Sequence, residues 1–128
     1  MKAELENKLI EKYRELFPPD DIWHDETKSC MAWGLAVGDG WYDILDRAFA
    51  KFMLLENKPQ LAQVKEKFGT LRLYLDNSSD EAYEIASKAE YESETTCEIC
   101  GKTGKLVGVG WYSTRCEDHK NGYKSAIS

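Results

Sequence analysis

The chain has 128 residues, one domain's worth, and 42% hydrophobic content with 15 aromatics (4 Trp, 7 Tyr, 4 Phe) is enough to build a packed core. Charged residues make up 31% and the net charge is -6, which argues against general affinity for nucleic acid or anionic membranes. No stretch approaches the roughly 20 apolar residues of a membrane-spanning helix, and Glu4, Glu6, Lys8, Glu11 and Lys12 interrupt the region where a leader's apolar run would lie, so a cytoplasmic chain is expected.

From the N-terminus, Leu5, Leu9, Tyr13, Leu16 and Phe17 share one stripe of a helix over residues 3–17, which Pro18 and Pro19 stop. Residues 20–26 then read as a carboxylate-rich loop around His24, and residues 31–37 as a short apolar strand. Gly38-Asp39-Gly40 makes a turn in which Asp39 or Gly40 caps the next helix. That helix carries Trp41, Ile44, Leu45, Ala48, Phe49, Phe52 and Met53 at helical spacing and ends around Asn57-Lys58-Pro59. The period changes at Leu71, Leu73 and Leu75, which alternate with Arg72 and Tyr74. With Gly69 at the turn, residues 61–67 and 71–76 form a hairpin with Phe68 packed at its end. Ser78-x-x-Glu81 has the form of a capping box, and Ala82, Ile85, Ala86 and Ala89 give the following helix a small-residue face suited to close packing. The order predicts an α+β fold, a small antiparallel sheet packed by about three helices. Residues 1–94 form the body, and residues 95–128 a zinc-ribbon or treble-clef module docked on it.

The module rests on Cys97-Glu98-Ile99-Cys100-Gly101, whose two-residue spacing lets both thiolates face one ion, with Gly101 suited to the tight turn. Cys116-Glu117-Asp118-His119 repeats the spacing with an imidazole last, and a hairpin through Gly110 lies between the pairs. Cys97, Cys100, Cys116 and His119 thus make a closed tetrahedral shell for one structural Zn2+ per chain, the metal replacing a core that so short a tail lacks. Unrelated thiols or a disulfide pair are the bland alternative, and iron is the competing ion, with histidine as fourth ligand counting against it. Cys30 has no second cysteine within ligand spacing and is expected to be a buried thiol.

Three further groups are candidates for contact. Lys65, Lys67, Arg72 and Tyr74 lie in the hairpin, either as a binding face or as a wet sheet face with charges paired across strands. Trp111 and Tyr112, beside Arg115, are large for the module's own hairpin, so they either dock it on the body, the preferred reading, or stack on a ligand. Residues 1–96 carry 12 Lys and Arg against 20 Asp and Glu, while residues 97–128 carry 5 against 3, so the tail is mildly basic. Lys102, Lys105, Arg115, Lys120 and Lys124 could there contact phosphates. Catalysis has one candidate, His24 among its carboxylates, which could serve a metal-dependent hydrolase but reads as readily as a solvated loop. Asp43 and Asp46 are expected to face solvent, or to cap the central helix and pair with Arg47 and Lys51.

Gly38-Asp39-Gly40-Trp41-Tyr42-Asp43, the run Q-V-K-E-K-F-G-T-L-R at 63–72 and the C-E-I-C-G to C-x-x-H tail together resemble a family of small uncharacterised phage, prophage and bacterial proteins. The resemblance covers about residues 31–120 and implies a shared fold and zinc site, with His119 fitting the fourth-ligand position, but no substrate. The expected function is that of a non-enzymatic phage or prophage accessory protein that binds a host or phage protein in the host cytoplasm. The alternative is nucleic-acid binding through the basic tail.

Overall fold

A computed structural model describes residues 1–19, 25, 27, 30–76 and 78–120, without the side chains of Cys30 and Trp33. The expectations for His24 and most of its acidic loop, for the Cys30 thiol and for Lys124 lie outside the described residues. Among the described residues the fold is α+β, with three helices, one sheet of three strands and one of two.

Helix α1 (Ala3–Lys12) continues into a 3-10 turn at Arg14–Leu16, and its stripe turns inward as the spacing demands, with Leu9, Tyr13, Leu16 and Phe17 buried. Strand β1 is only Leu35–Ala36. The apolar run before it is not a strand, because Cys30–Trp33 winds into a 3-10 turn and Gly34 sits at φ 71°. A second 3-10 turn, Asp39–Trp41, leads into α2 (Tyr42–Met53), which buries Ile44, Leu45, Ala48, Phe49 and Phe52 and ends before the expected Asn57-Lys58-Pro59. Neither Asp39 nor Gly40 caps α2: Trp41 holds the cap position without a side-chain hydrogen bond, and the Asp39 carboxylate accepts from the Lys2 backbone N–H instead.

Strands β2 (Gln60–Lys67) and β3 (Thr70–Asp76) form the expected antiparallel hairpin, but β1 pairs with β2 in parallel, Leu35 opposite Val64. The sheet is therefore mixed and not antiparallel throughout. The physical reason is α2, which lies between β1 and β2 in sequence and supplies the crossover that parallel pairing requires. Helix α3 (Asp80–Ser93) is capped by Ser79, whose hydroxyl accepts from the Ala82 N–H, one residue later than the capping box placed it. Its Ala82, Ala86 and Ala89 are buried and let it approach both β3 and α2 closely.

The core lies among these elements. Trp41, Phe49, Phe52, Leu61 and Leu71 have no exposed surface, and the Phe49 ring meets Tyr13 and Phe17 edge to face at centroid distances of 5.6 and 6.0 Å. Full burial of one such ring contributes roughly 1.5–3 kcal/mol. Tyr13 also donates to the Asp46 carboxylate, which Lys12 reaches at 3.1 Å, so the partly exposed Asp46 ties α1 to α2. Arg47 pairs with Glu92 of α3. Strands β4 (Lys105–Val107) and β5 (Ser113–Arg115) make the second, antiparallel sheet, and Glu117–His119 closes the described chain with one 3-10 turn.

Candidate metal centre

The ends of the second sheet bring the ligand pairs together. Before β4, the chain turns tightly: the Gly101 N–H donates to Cys97 O and the Cys97 N–H to Lys102 O, and Gly101 takes φ 82°, the left-handed region that costs glycine nothing. After β5, the 3-10 turn holds His119 above Cys116, its N–H donating to Cys116 O. The donor atoms of Cys97, Cys100, Cys116 and His119 lie within 4.8 Å of one another.

A tetrahedral ion with metal–sulfur bonds of about 2.3 Å requires donor–donor edges of about 3.8 Å. Here Cys100 Sγ is 3.6 Å from Cys116 Sγ, and His119 Nδ1 is 3.7 Å from Cys97 Sγ and 3.2 Å from Cys116 Sγ. The four residues fit a metal ion, with Nδ1 the imidazole nitrogen that faces the thiols. The electrostatics agree. Burial pushes the Cys97 thiol up, but backbone N–H groups of Cys100, Cys116 and Ile99 aimed at the sulfur outweigh it and bring it down to about 6. For Cys100, the Lys102 amide favours the thiolate, while burial and the sulfurs of Cys116 and Cys97 push it up. Thiolates this close repel one another unless a cation sits between them.

The same loop is fastened to the body by the segment before α2. Gly40 N–H donates to Glu98 O at 2.8 Å, Gly38 N–H to the Glu98 carboxylate at 3.0 Å, and the buried Trp41 indole N–H to Thr96 O at 2.8 Å. Gly40 is required here by space: a Cβ would lie 2.1 Å from Cys97 O and 2.6 Å from Gly101 N. On the other side, Thr114 donates its hydroxyl to Gly69 O at 2.7 Å, and the Gly69 Cα faces Leu106 and Ser113 closely. The Gly-Asp-Gly-Trp turn, the Lys-Phe-Gly-Thr turn and the cysteine knuckle, distant in sequence, are thus one assembly.

The remaining candidates separate into committed and available groups. Arg115 pairs with Glu98 at 3.4 Å with both side chains nearly buried, Arg72 with Glu90 at 2.8 Å, Lys102 with Asp118 and Lys120 with Glu117. Lys65 stands opposite Arg72 in the hairpin register, and Tyr74 is exposed. Trp111 does not dock the module: it is 77% exposed, and the bonds that fasten the module run from Gly38 to Glu98, from Trp41 to Thr96 and from Thr114 to Gly69. Phe68 likewise is not packed away at the hairpin end; it is 63% exposed, with Lys67 Nζ 5.5 Å from its ring centroid.

These aromatics converge. Phe68 and Gly69, at φ 54° and 85°, form the two-residue turn between β2 and β3, and that turn lies beside the one between β4 and β5. Glu66, Lys67, Phe68, Gly110, Trp111 and Tyr112 line a cavity of about 340 Å³ there. Glu66 and Phe68 were not singled out as site residues from sequence. The available signal was an aromatic where a turn with two positive φ values prefers Asn, Asp or Gly.

No family model, curated protein or solved structure matches the chain.

Proposed function

We propose that this chain is a zinc-stabilised protein-binding domain of the accessory type found in phages and prophages, acting in the host cytoplasm on a host or phage protein. Zinc is the ion best suited to three thiolates and an imidazole at tetrahedral spacing, and four protein donors leave no coordination position open for chemistry. The role of the metal is to hold residues 95–120 against the body. The second ligand pair, on a helical turn after a hairpin, favours a treble-clef-like module over a ribbon.

The observation that carries the binding reading is the exposed apolar surface at the two hairpin ends, where Phe68, Val109 and Trp111 are 63%, 76% and 77% exposed. Surface aromatics gathered around a concavity are the usual anchors of protein interfaces. Nucleic acid has less to hold, since Lys102, Arg115 and Lys120 of the basic tail already face acidic partners.

The test is crosslinking capture from host extract with the metal-loaded full chain, alongside Trp111→Ala and, as a control on the exposed face of α3, Tyr91→Ala. The expected result is a partner captured by the wild type and by Tyr91→Ala but not by Trp111→Ala. Capture indifferent to Trp111, or retention on DNA that falls as Lys102 and Lys105 are neutralised, would overturn the reading. Metal analysis should return one zinc per chain.

A further inference from the structure

Resting on the protein-binding reading, we propose that the cavity between the two hairpin ends receives a lysine or arginine side chain from a basic segment of the partner. Three aromatic residues line it, Phe68 from one turn and Trp111 and Tyr112 from the other, and one carboxylate, Glu66, stands among them. Aromatic faces attract cations through their negative quadrupole, and a carboxylate beside them adds charge. The protein already shows this on its own residues, since the exposed Lys67 ammonium lies over the Phe68 ring. An incoming cation competes with Lys67 for that face.

Glu66 points to the sign of the ligand. It is half-buried, and the nearby Glu98 carboxylate opposes its charge. Arg115 and Lys65 offset this, but Arg115 also serves Glu98 at 3.4 Å. The offset is incomplete, and a cation in the cavity would meet the Glu66 carboxylate that lines it. The net charge of -6 gives the same preference at long range.

The backbone of Phe68 adds an independent observation. A bulky residue in the left-handed region is strained relative to glycine or asparagine, yet its ring gains little burial in return. A ring kept exposed at a cost in stability is accounted for when it has a ligand to meet.

The experiment titrates isotope-labelled, metal-loaded full chain with a capped octapeptide of alternating lysine and serine, and with the same peptide carrying glutamine for lysine, following amide and indole resonances. The lysine peptide is expected to give saturable shifts confined to Phe68, Gly69, Gly110, Trp111 and Tyr112, and the glutamine peptide none. Glu66→Gln and Trp111→Ala should each weaken binding about 3- to 10-fold, in keeping with single charge-assisted or cation–aromatic contacts. Phe68→Asn should weaken it too while raising the thermal midpoint, a combination that a merely structural role for Phe68 cannot produce. Shifts spread over the acidic surface and unchanged in Glu66→Gln would mean general charge attraction and overturn the proposal. So would the absence of saturable shifts; if Trp111-dependent partner capture nevertheless persisted, protein binding would stand and only the cationic ligand would fall.

Discussion

Glu66 shows how one carboxyl group can be set against the fold that holds it. Burial holds it above the ordinary glutamate range, and the Glu98 carboxylate adds to that; the Gly69 backbone N–H, Arg115 and Lys65 pull the other way without winning. A raised value means that the folded state takes up this proton more readily than the unfolded one. Its charge therefore costs stability above the folded value, and the cost vanishes as pH falls below the unfolded value near ~4.3. Glu66→Gln keeps an oxygen to accept the Gly69 N–H and removes the charge. It should melt higher than the wild type at pH 7, with the difference fading to nothing by about pH 4. Paired melting curves across that range decide it, and a variant less stable at neutral pH would show that Arg115 more than offsets the repulsion. No sequence pattern marks Glu66, because its neighbour Glu98 lies in the cysteine knuckle, distant in sequence. The cluster of Cys97, Cys100, Cys116 and His119 that could hold a metal was legible, since two pairs at C-x-x spacing carry their geometry with them.

At the scale of elements, Gly40 decides whether the knuckle seats on the start of α2. A methyl group there would meet Cys97 O and Gly101 N, backbone atoms on the turn that also orients two ligands, so nothing nearby can yield by rotating a side chain. Gly40→Ala should cost about 3 kcal/mol, at the upper end for overpacking, and speed metal loss to a chelator, while Asp43→Ala on the exposed face of the same helix should leave both unchanged. Equal metal retention in Gly40→Ala would show that the docking does not support the site. The periodicity of α2 and the alternation in β3 were readable because each reflects one buried face. The 31–37 run was not, since a continuous apolar stretch looks alike as strand or as buried turn, and the 3-10 turn at Cys30–Trp33 and the φ of Gly34 separate them. The meeting of residues 38–41 with 96–101 was beyond sequence reasoning too, because it depends on the topology that brings them together.

For the whole molecule, the division of the core predicts what metal removal does. Among the described residues, every buried member of the main hydrophobic cluster lies between Leu9 and Ala89, whereas the buried apolar residues beyond it are Cys97, Val107 and Cys116, two of them candidate ligands. Without an ion, the second hairpin has almost nothing apolar among the described residues to close upon, and a structural metal site of this kind supplies about 10–16 kcal/mol of apparent binding free energy. The body keeps its own core and loses the contacts that join the two parts, including the Trp41 indole to Thr96, Gly40 to Glu98 and Thr114 to Gly69. At about 0.5–1.5 kcal/mol net for each bond, the loss is a few kcal/mol shared between the parts, and a lowered midpoint of about 5–15 °C follows for the body. Chelation should therefore abolish amide-exchange protection in residues 97–119 and redden the emission of Trp41 as its cover leaves. The helical circular dichroism of α1, α2 and α3 should survive with a lower melting point. Complete unfolding on chelation would mean that body and module are a single cooperative unit, and unchanged protection in the tail would mean that the metal does not hold it. The intermediate outcome makes the ion a fastener for one surface, so the aromatic cavity between the hairpin ends should exist only in the metal-loaded protein. Trp111-dependent binding should then disappear with the metal and return when it is restored.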